Sequence, residues 1–150
     1  MKRAIRSEPG PLHPSSSQRT YPHPNEKVWR AITDPMIVSR WLMPNDLRAE
    51  VGHEFTFTTK PYPGFDGTVR CRVTTVDEPH ELACTWSGGG LTDTTVRFRL
   101  ERLNAEETFL RFEHAGFDGL LNRLIARDVL AAGWRGKLLS RQLPEALAQL

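Results

Sequence analysis

The feature of this sequence that most narrows its fold is an apolar residue at every second position, repeated in run after run between His53 and His114. In an extended chain successive side chains point to opposite faces, so a period of two is what a half-buried strand requires. Phe55 and Phe57 follow His53 on one parity, with Glu54, Thr56 and Thr58 on the other. Val69, Cys71 and Val73 alternate with Arg70, Arg72 and Thr74, and Leu82, Cys84 and Trp86 make the next run. Thr94, Val96, Phe98 and Leu100 then alternate with Thr95, Arg97, Arg99 and Glu101, and Thr108, Leu110, Phe112 and His114 with Phe109, Arg111 and Glu113. Turn-forming stretches separate the runs: Tyr62 to Gly67, Ser87 to Gly90 and Asn104 to Glu106. Strands joined by turns this short predict an antiparallel meander and argue against a parallel βαβ sheet.

A meander of this kind has one apolar face, and the face needs a cover. The one segment long enough follows Gly119, where Leu120, Leu124, Ala131, Trp134 and Leu138 recur at helical spacing and Asp118 is placed to cap the first turn. Pro144 is expected to kink or end that helix about a turn before the C-terminus. Ahead of the meander, Ser16 to Tyr21 reads as a first strand stopped by Pro22 and Pro24. Val28, Trp29 and Ile32 give a short helix its stripe, and Asp34-Pro35 separates it from a second short helix over Met36 to Leu42. The fold class is therefore α+β: a curved six-stranded antiparallel sheet around a long C-terminal helix, with two short helices after the first strand.

The 150 residues suffice for one domain. Residues 1–15, rich in proline and serine, read as a flexible tail, and 16–150 as the domain. Apolar residues make up 39% and charged residues 25% of the chain, enough for a real core beneath a solvated surface. No apolar run reaches the ~20 residues that cross a bilayer, and the N-terminus lacks the apolar segment of a signal peptide, so a cytoplasmic protein is expected. Of the basic residues, four lie in the first nineteen positions, leaving 16 basic against 17 acidic residues over the rest. That balance argues against a nucleic-acid binder, which carries a basic stripe on its folded face. Cys71 and Cys84 have none of the short spacings of zinc or redox sites and read as reduced core residues. His13, His23 and His53 are scattered without paired spacing, and Gly88 to Gly90 lacks the lysine and helix of a phosphate loop, so no metal and no cofactor are expected.

Several motifs in one order resemble the START-like (SRPBCC) superfamily, and within it the bacterial relatives of the activators of the heat-shock-protein-90 ATPase. They are Tyr21-Pro22-His23-Pro24 running into Glu26-Lys27-Val28-Trp29, Thr33-Asp34-Pro35, Arg40-Trp41-Leu42-Met43-Pro44 and Val51-Gly52-His53-Glu54-Phe55. Gly64 to Gly67, Glu78-Pro79, Leu82 to Trp86, Glu113 to Phe117 and Gly133-Trp134 continue the series. The resemblance spans about residues 16 to 145 and implies the helix-grip fold, in which relatives hold lipids, steroids, polyketides or hormones between sheet and helix. A few relatives cyclise or hydroxylate what they bind. The eukaryotic activators carry a further domain that has no counterpart in this sequence, so the family name alone does not imply a chaperone partner.

The expected site is a cavity lined by Trp41, Phe55, Phe57, Val73, Trp86, Phe98, Phe112 and His114 against Leu124 and Ala131 of the last helix, where Ala131, Ala132 and Gly133 leave room. A solid core would explain the same apolar residues. Trp41, Trp86 and Trp134 each offer an aromatic face and an N–H donor. His114, on the inward parity, is a candidate acid or base, and so is Asp128 beside the buried stripe. Each has a plainer reading, His114 as a pin bonded to a loop carbonyl and Asp128 as a solvated partner of Arg127. No nucleophile, base and orienting group assemble from this inventory, which places the binding of a small apolar molecule ahead of catalysis on an aromatic or polyketide-like substrate, and a co-chaperone role third.

Overall fold

The computed structural model describes residues 15–61, 63–88, 91–116 and 133–150. Six strands follow the runs of alternation: β1 (Ser15–Tyr21), β2 (Glu54–Thr58), β3 (Thr68–Asp77), β4 (Glu81–Gly88), β5 (Leu91–Asn104) and β6 (Glu107–Ala115). They form one antiparallel sheet in the order β1-β6-β5-β4-β3-β2, so the first strand closes the meander beside the last. Ser15, expected in the tail, belongs to β1 and pairs with His114. Residues 1–14 lie outside the described residues.

The inward parity is the expected one. Val69, Cys71 and Val73 are buried between exposed Arg70 and Arg72, and along β6 Thr108, Leu110, Phe112 and His114 are all buried. On the outer face Arg97 and Arg99 turn to Glu81, Arg70 reaches Asp66 at 3.4 Å, and Arg111 lies over the Phe109 ring. Gly88 is a requirement of this packing, since a Cβ there would stand 2.9 Å from the Thr68 carbonyl oxygen.

Two helices bridge β1 and β2. Asp34 ends α1 (Asn25–Thr33) and begins α2 (Pro35–Trp41), its carboxylate accepting from the Met36 N–H at 2.9 Å while Pro35 occupies the first turn, where a missing N–H is harmless. The same proline leaves the Ala31 carbonyl without its i+4 donor. The Trp41 indole fills the gap, donating from Nε1 to Ala31 O at 2.8 Å.

The C-terminal helix departs from the expected one. It is wound as a wide π helix over Gly133–Gln142 and passes directly into α3 (Leu143–Ala148). Pro144 therefore does not end it, but stands in the first turn of α3 with the wide segment ahead of it. The change of winding has a visible cause. In a tight helix the Pro144 ring would press on the carbonyl four residues back, and wide winding moves that carbonyl away. It also shifts the buried stripe, which steps five residues from Trp134 to Leu139 and then four to Leu143 and four to Leu147. Leu138, expected on that stripe, is only partly buried. Five residues on from Leu139 stands Pro144, with no N–H to give, and the Leu139 carbonyl is served instead by the Tyr21 hydroxyl of β1 at 2.8 Å. Arg19 of β1 adds a hydrogen bond from Nη2 to Ser140 Oγ. The predicted contributions of Asp118, Leu120, Leu124, Asp128, Ala131 and Ala132 lie outside the described residues.

Candidate functional site

Between sheet and helices the inner face holds an apolar hollow of about 20 Å³, room for roughly one water molecule. Its walls come from three directions: Ile32, Val38 and Trp41 of the two short helices, aromatic residues of β2, β4 and β5, and Trp134 of the wide helix. Five of the expected ligand-contact residues, Trp41, Phe55, Phe57, Trp86 and Phe98, line it together. Phe112 and His114 stand behind Trp134, with ring centroids 4.3 and 6.3 Å from the indole. Val73 is buried in β3 but does not line the hollow, and Leu124 and Ala131 lie outside the described residues.

The aromatic rings form a continuous chain. Phe55 meets Phe57 edge-on at 5.4 Å, Phe57 meets Trp86 at 5.4 Å, Trp86 meets Trp134 at 5.6 Å, and Phe112 joins Phe98 at 5.1 Å. Such tilted and edge-to-face pairs are the arrangements that ring quadrupoles favour.

One polar group is set into this chain. His114 is fully buried, and two side chains, Thr94 and Trp134, are among its partners. The Thr94 hydroxyl donates its single proton to Trp86 O at 2.6 Å, so towards His114 it acts as acceptor, and Nε2 of the imidazole carries the proton across the 2.8 Å contact. Nδ1 is left as the acceptor, and the Trp134 indole donates to it at 3.3 Å. Burial pushes the His114 pKa down to about 4, because the apolar surroundings penalise the cation. At neutral pH the ring is an uncharged acceptor with both nitrogens engaged. Asp128, the other candidate acid or base, lies outside the described residues.

Cys71 and Cys84 are free thiols, both buried. Interaction with the Cys84 thiol and burial together drive the Cys71 pKa far up, which keeps that thiol protonated and unreactive. Among the described residues no cluster of three His, Cys, Asp or Glu side chains is placed to hold a metal, and no helix is long and apolar enough to cross a membrane. A second, open hollow of about 410 Å³ lies on the outer face, with Glu54, Arg70, Arg72 and Thr85 in its lining.

Sequence reasoning placed Trp41 in the site and missed its neighbours. Ile32 and Val38 of the short helices, and Leu42 and Leu47 after them, also line the hollow. The signal for Val38 and Trp41 was their three-residue spacing, which puts them on one helical face. Thr94 was the other omission, and its mark in the sequence is a hydroxyl on the inward parity of an otherwise apolar strand.

A family model described as "Activator of Hsp90 ATPase homolog 1-like protein" matches residues 22–148. Comparison with the curated proteins returns no match. Among solved structures, protein MLL2253 from Mesorhizobium loti is 30% identical, covers 89% of this chain and 93% of its own, and superposes with a TM-score of 0.72. Protein BH1534 from Bacillus halodurans is 27% identical over 89% of this chain and 95% of its own, with a TM-score of 0.72. PFC0360w, an HSP90 activator from Plasmodium falciparum, is 21% identical over 83% and 91% of the two chains, with a TM-score of 0.61, a likeness of fold alone.

Proposed function

We propose that this chain, which belongs to the Activator of Hsp90 ATPase homolog 1-like family, binds a small apolar molecule between the inner face of its sheet and its C-terminal helix. The observation that carries this reading is the hollow itself, a space whose walls, among the described residues, are apolar and aromatic side chains from both short helices, three strands and the wide helix. A site of that composition recognises shape and apolar surface, with orientation left to a few polar groups. Among the described residues, the buried polar side chains Thr94 and His114 stand against its aromatic wall, His114 at 5.5 Å from Trp86 between ring centroids.

Catalysis draws less support. A neutral imidazole with Thr94 on one nitrogen and Trp134 on the other is not poised to move a proton near neutral pH. The likeness to an HSP90 activator supports a shared fold and does not reach as far as a shared partner. Two measurements test the binding reading: mass spectrometry of organic extracts of the natively purified protein, and melting of the protein against a library of planar apolar compounds. A copurifying apolar molecule, or a saturable rise of several degrees in Tm, is expected, because a ligand that binds only the folded state stabilises it by mass action. Failure of both would overturn the proposal.

A further inference from the structure

We propose that the hollow on the outer face of the sheet is a second binding site, and that it takes a small zwitterion, a molecule with a phosphate or carboxylate at one end and an ammonium group a few bonds away. It lies on the opposite face from the apolar hollow and does not depend on what that one holds.

The site is built on three neighbouring strands. In the ladders Glu54 of β2 stands opposite Arg72 of β3, Thr56 opposite Arg70, and Arg70 opposite Ser87 of β4. Thr85 adjoins Arg72, whose backbone N–H donates to the Thr85 Oγ1 at 2.8 Å. Two guanidiniums and two hydroxyls therefore stand at the corners of a square, because outward side chains recur at every second residue and adjacent strands lie about 4.8 Å apart. At about 410 Å³ the hollow over this square has the size of a small-molecule site. Phe55 and Cys71, also in its lining, are buried towards the inner face, so what a ligand meets is charge and hydroxyl.

The square is a set of donors. Each hydroxyl oxygen already accepts from the main chain, Thr85 from the Arg72 N–H and Ser87 from the Asp93 N–H at 2.9 Å, which leaves its proton to give. Among the described residues no carboxylate stands at ion-pair distance from the Arg72 guanidinium, and Arg70 reaches Asp66 only at 3.4 Å on the exposed surface. Guanidiniums and hydroxyl protons placed together in this way suit an oxyanion, which accepts from several donors at once.

The flanks carry the opposite charge. Asp46 lies beyond β2, where its Oδ1 accepts from the Thr56 N–H at 2.9 Å, and Asp93 lies beyond β4. With Glu54 they make three carboxylates around two guanidiniums in the lining, so a simple anion such as inorganic phosphate is drawn to the centre and repelled by the rim. A ligand that also carries an ammonium group turns that repulsion into attraction.

The probes are O-phosphoethanolamine, which has both ends, and inorganic phosphate and ethanolamine, which have one each. Affinities are measured by titration calorimetry at low salt, where exposed charges are least screened. The backbone amide resonance of Arg72 reports on the site through its bond to Thr85. Phosphoethanolamine is expected to saturate the protein and shift that resonance, binding at least about tenfold more tightly than phosphate, with ethanolamine weaker still. Arg72→Gln should weaken phosphoethanolamine and phosphate alike by about tenfold. Glu54→Gln should weaken phosphoethanolamine by about the same factor and leave phosphate equal or tighter. Both side chains are exposed, so both variants are expected to fold and melt as the wild type does. The same chemistry occurs free in solution and as a lipid headgroup, and sedimentation with phosphatidylethanolamine vesicles tells the two sources apart. Phosphate that binds as tightly as phosphoethanolamine, or a Glu54→Gln that weakens both equally, overturns the zwitterion. An Arg72 resonance that stays fixed, or no saturable binding of phosphoethanolamine, overturns the site and leaves the apolar reading intact.

Discussion

Trp41 and Trp134 both line the same hollow, both are almost wholly buried, and both have a hydrogen-bonded indole, yet they are held by different means. Trp41 closes a vacancy in the main chain, the carbonyl that Pro35 cannot serve, over 2.8 Å. Trp134 is bonded to another side chain over 3.3 Å, from a helix of unusual width. A backbone partner fixes a ring with the fold, whereas a side-chain partner fixes it only while both rotamers hold. One tryptophan is thus fastened to the main chain and the other to a neighbouring side chain.

The largest expected effect follows from that contrast. Trp41→Ala should cost about 3–5 kcal/mol in urea denaturation, the usual range for a buried tryptophan in a tightly packed core. Trp134→Ala should fall at or below the low end of that range, because the wide helix can close over the vacancy. Equal losses would erase the distinction.

Next in size is the response to acid. The folded pKa of His114 is about 4 and the unfolded value about 6.5, so below pH 6.5 the unfolded chain takes up a proton that the folded one refuses. Stability from this group is complete above about pH 6.5 and declines as the pH falls towards 4, by roughly 3 kcal/mol over that window. Protonating Nδ1 would also turn the Trp134 bond into a clash of two donors. The pH dependence of unfolding free energy should therefore flatten in His114→Phe relative to wild type, with the exposed carboxylates common to both. A parallel pair of curves would mean that His114 titrates normally in the folded protein.

The smallest effect belongs to the pin between the two ends of the chain. Tyr21→Phe removes a buried donor to the Leu139 carbonyl and should lower stability by about 1 kcal/mol. It should also speed hydrogen exchange at the Trp134 indole while leaving that of Trp41 unchanged. Equal acceleration at both would show that the wide helix does not move independently of the core.

The strands were legible because a two-residue period leaves little freedom: once Val69, Cys71 and Val73 are known to face inward, Arg70 and Arg72 must face out. The order of β1 beside β6 was not, since pairing across some ninety residues leaves no local mark. The helix was read with the wrong winding for a related reason. Leu138 and Leu139 are equally apolar, and only the accommodation of Pro144 decides which of them turns inward. Within the site, the aromatic wall was visible as residue types on one parity. The acceptor at its centre was not, because the role of His114 is set by Thr94 and Trp134, each twenty residues away in sequence.

The bond from Tyr21 to Leu139 joins residues 118 positions apart, and every pair in the β1 and β6 ladder spans nearly as much of the chain. During synthesis the hairpins from β2 to β5 have their partners as soon as they emerge. The first strand has none until β6 is complete, and the Tyr21 hydroxyl has none until Leu139 follows. Closing so long a loop before any contact rewards it is slow, which makes β1, the first of the six strands to be synthesised, the last to find its place. Until then β6 presents an open edge and the inner aromatic face lacks its cover, so that interval is when this chain is most exposed to pairing with another copy of itself.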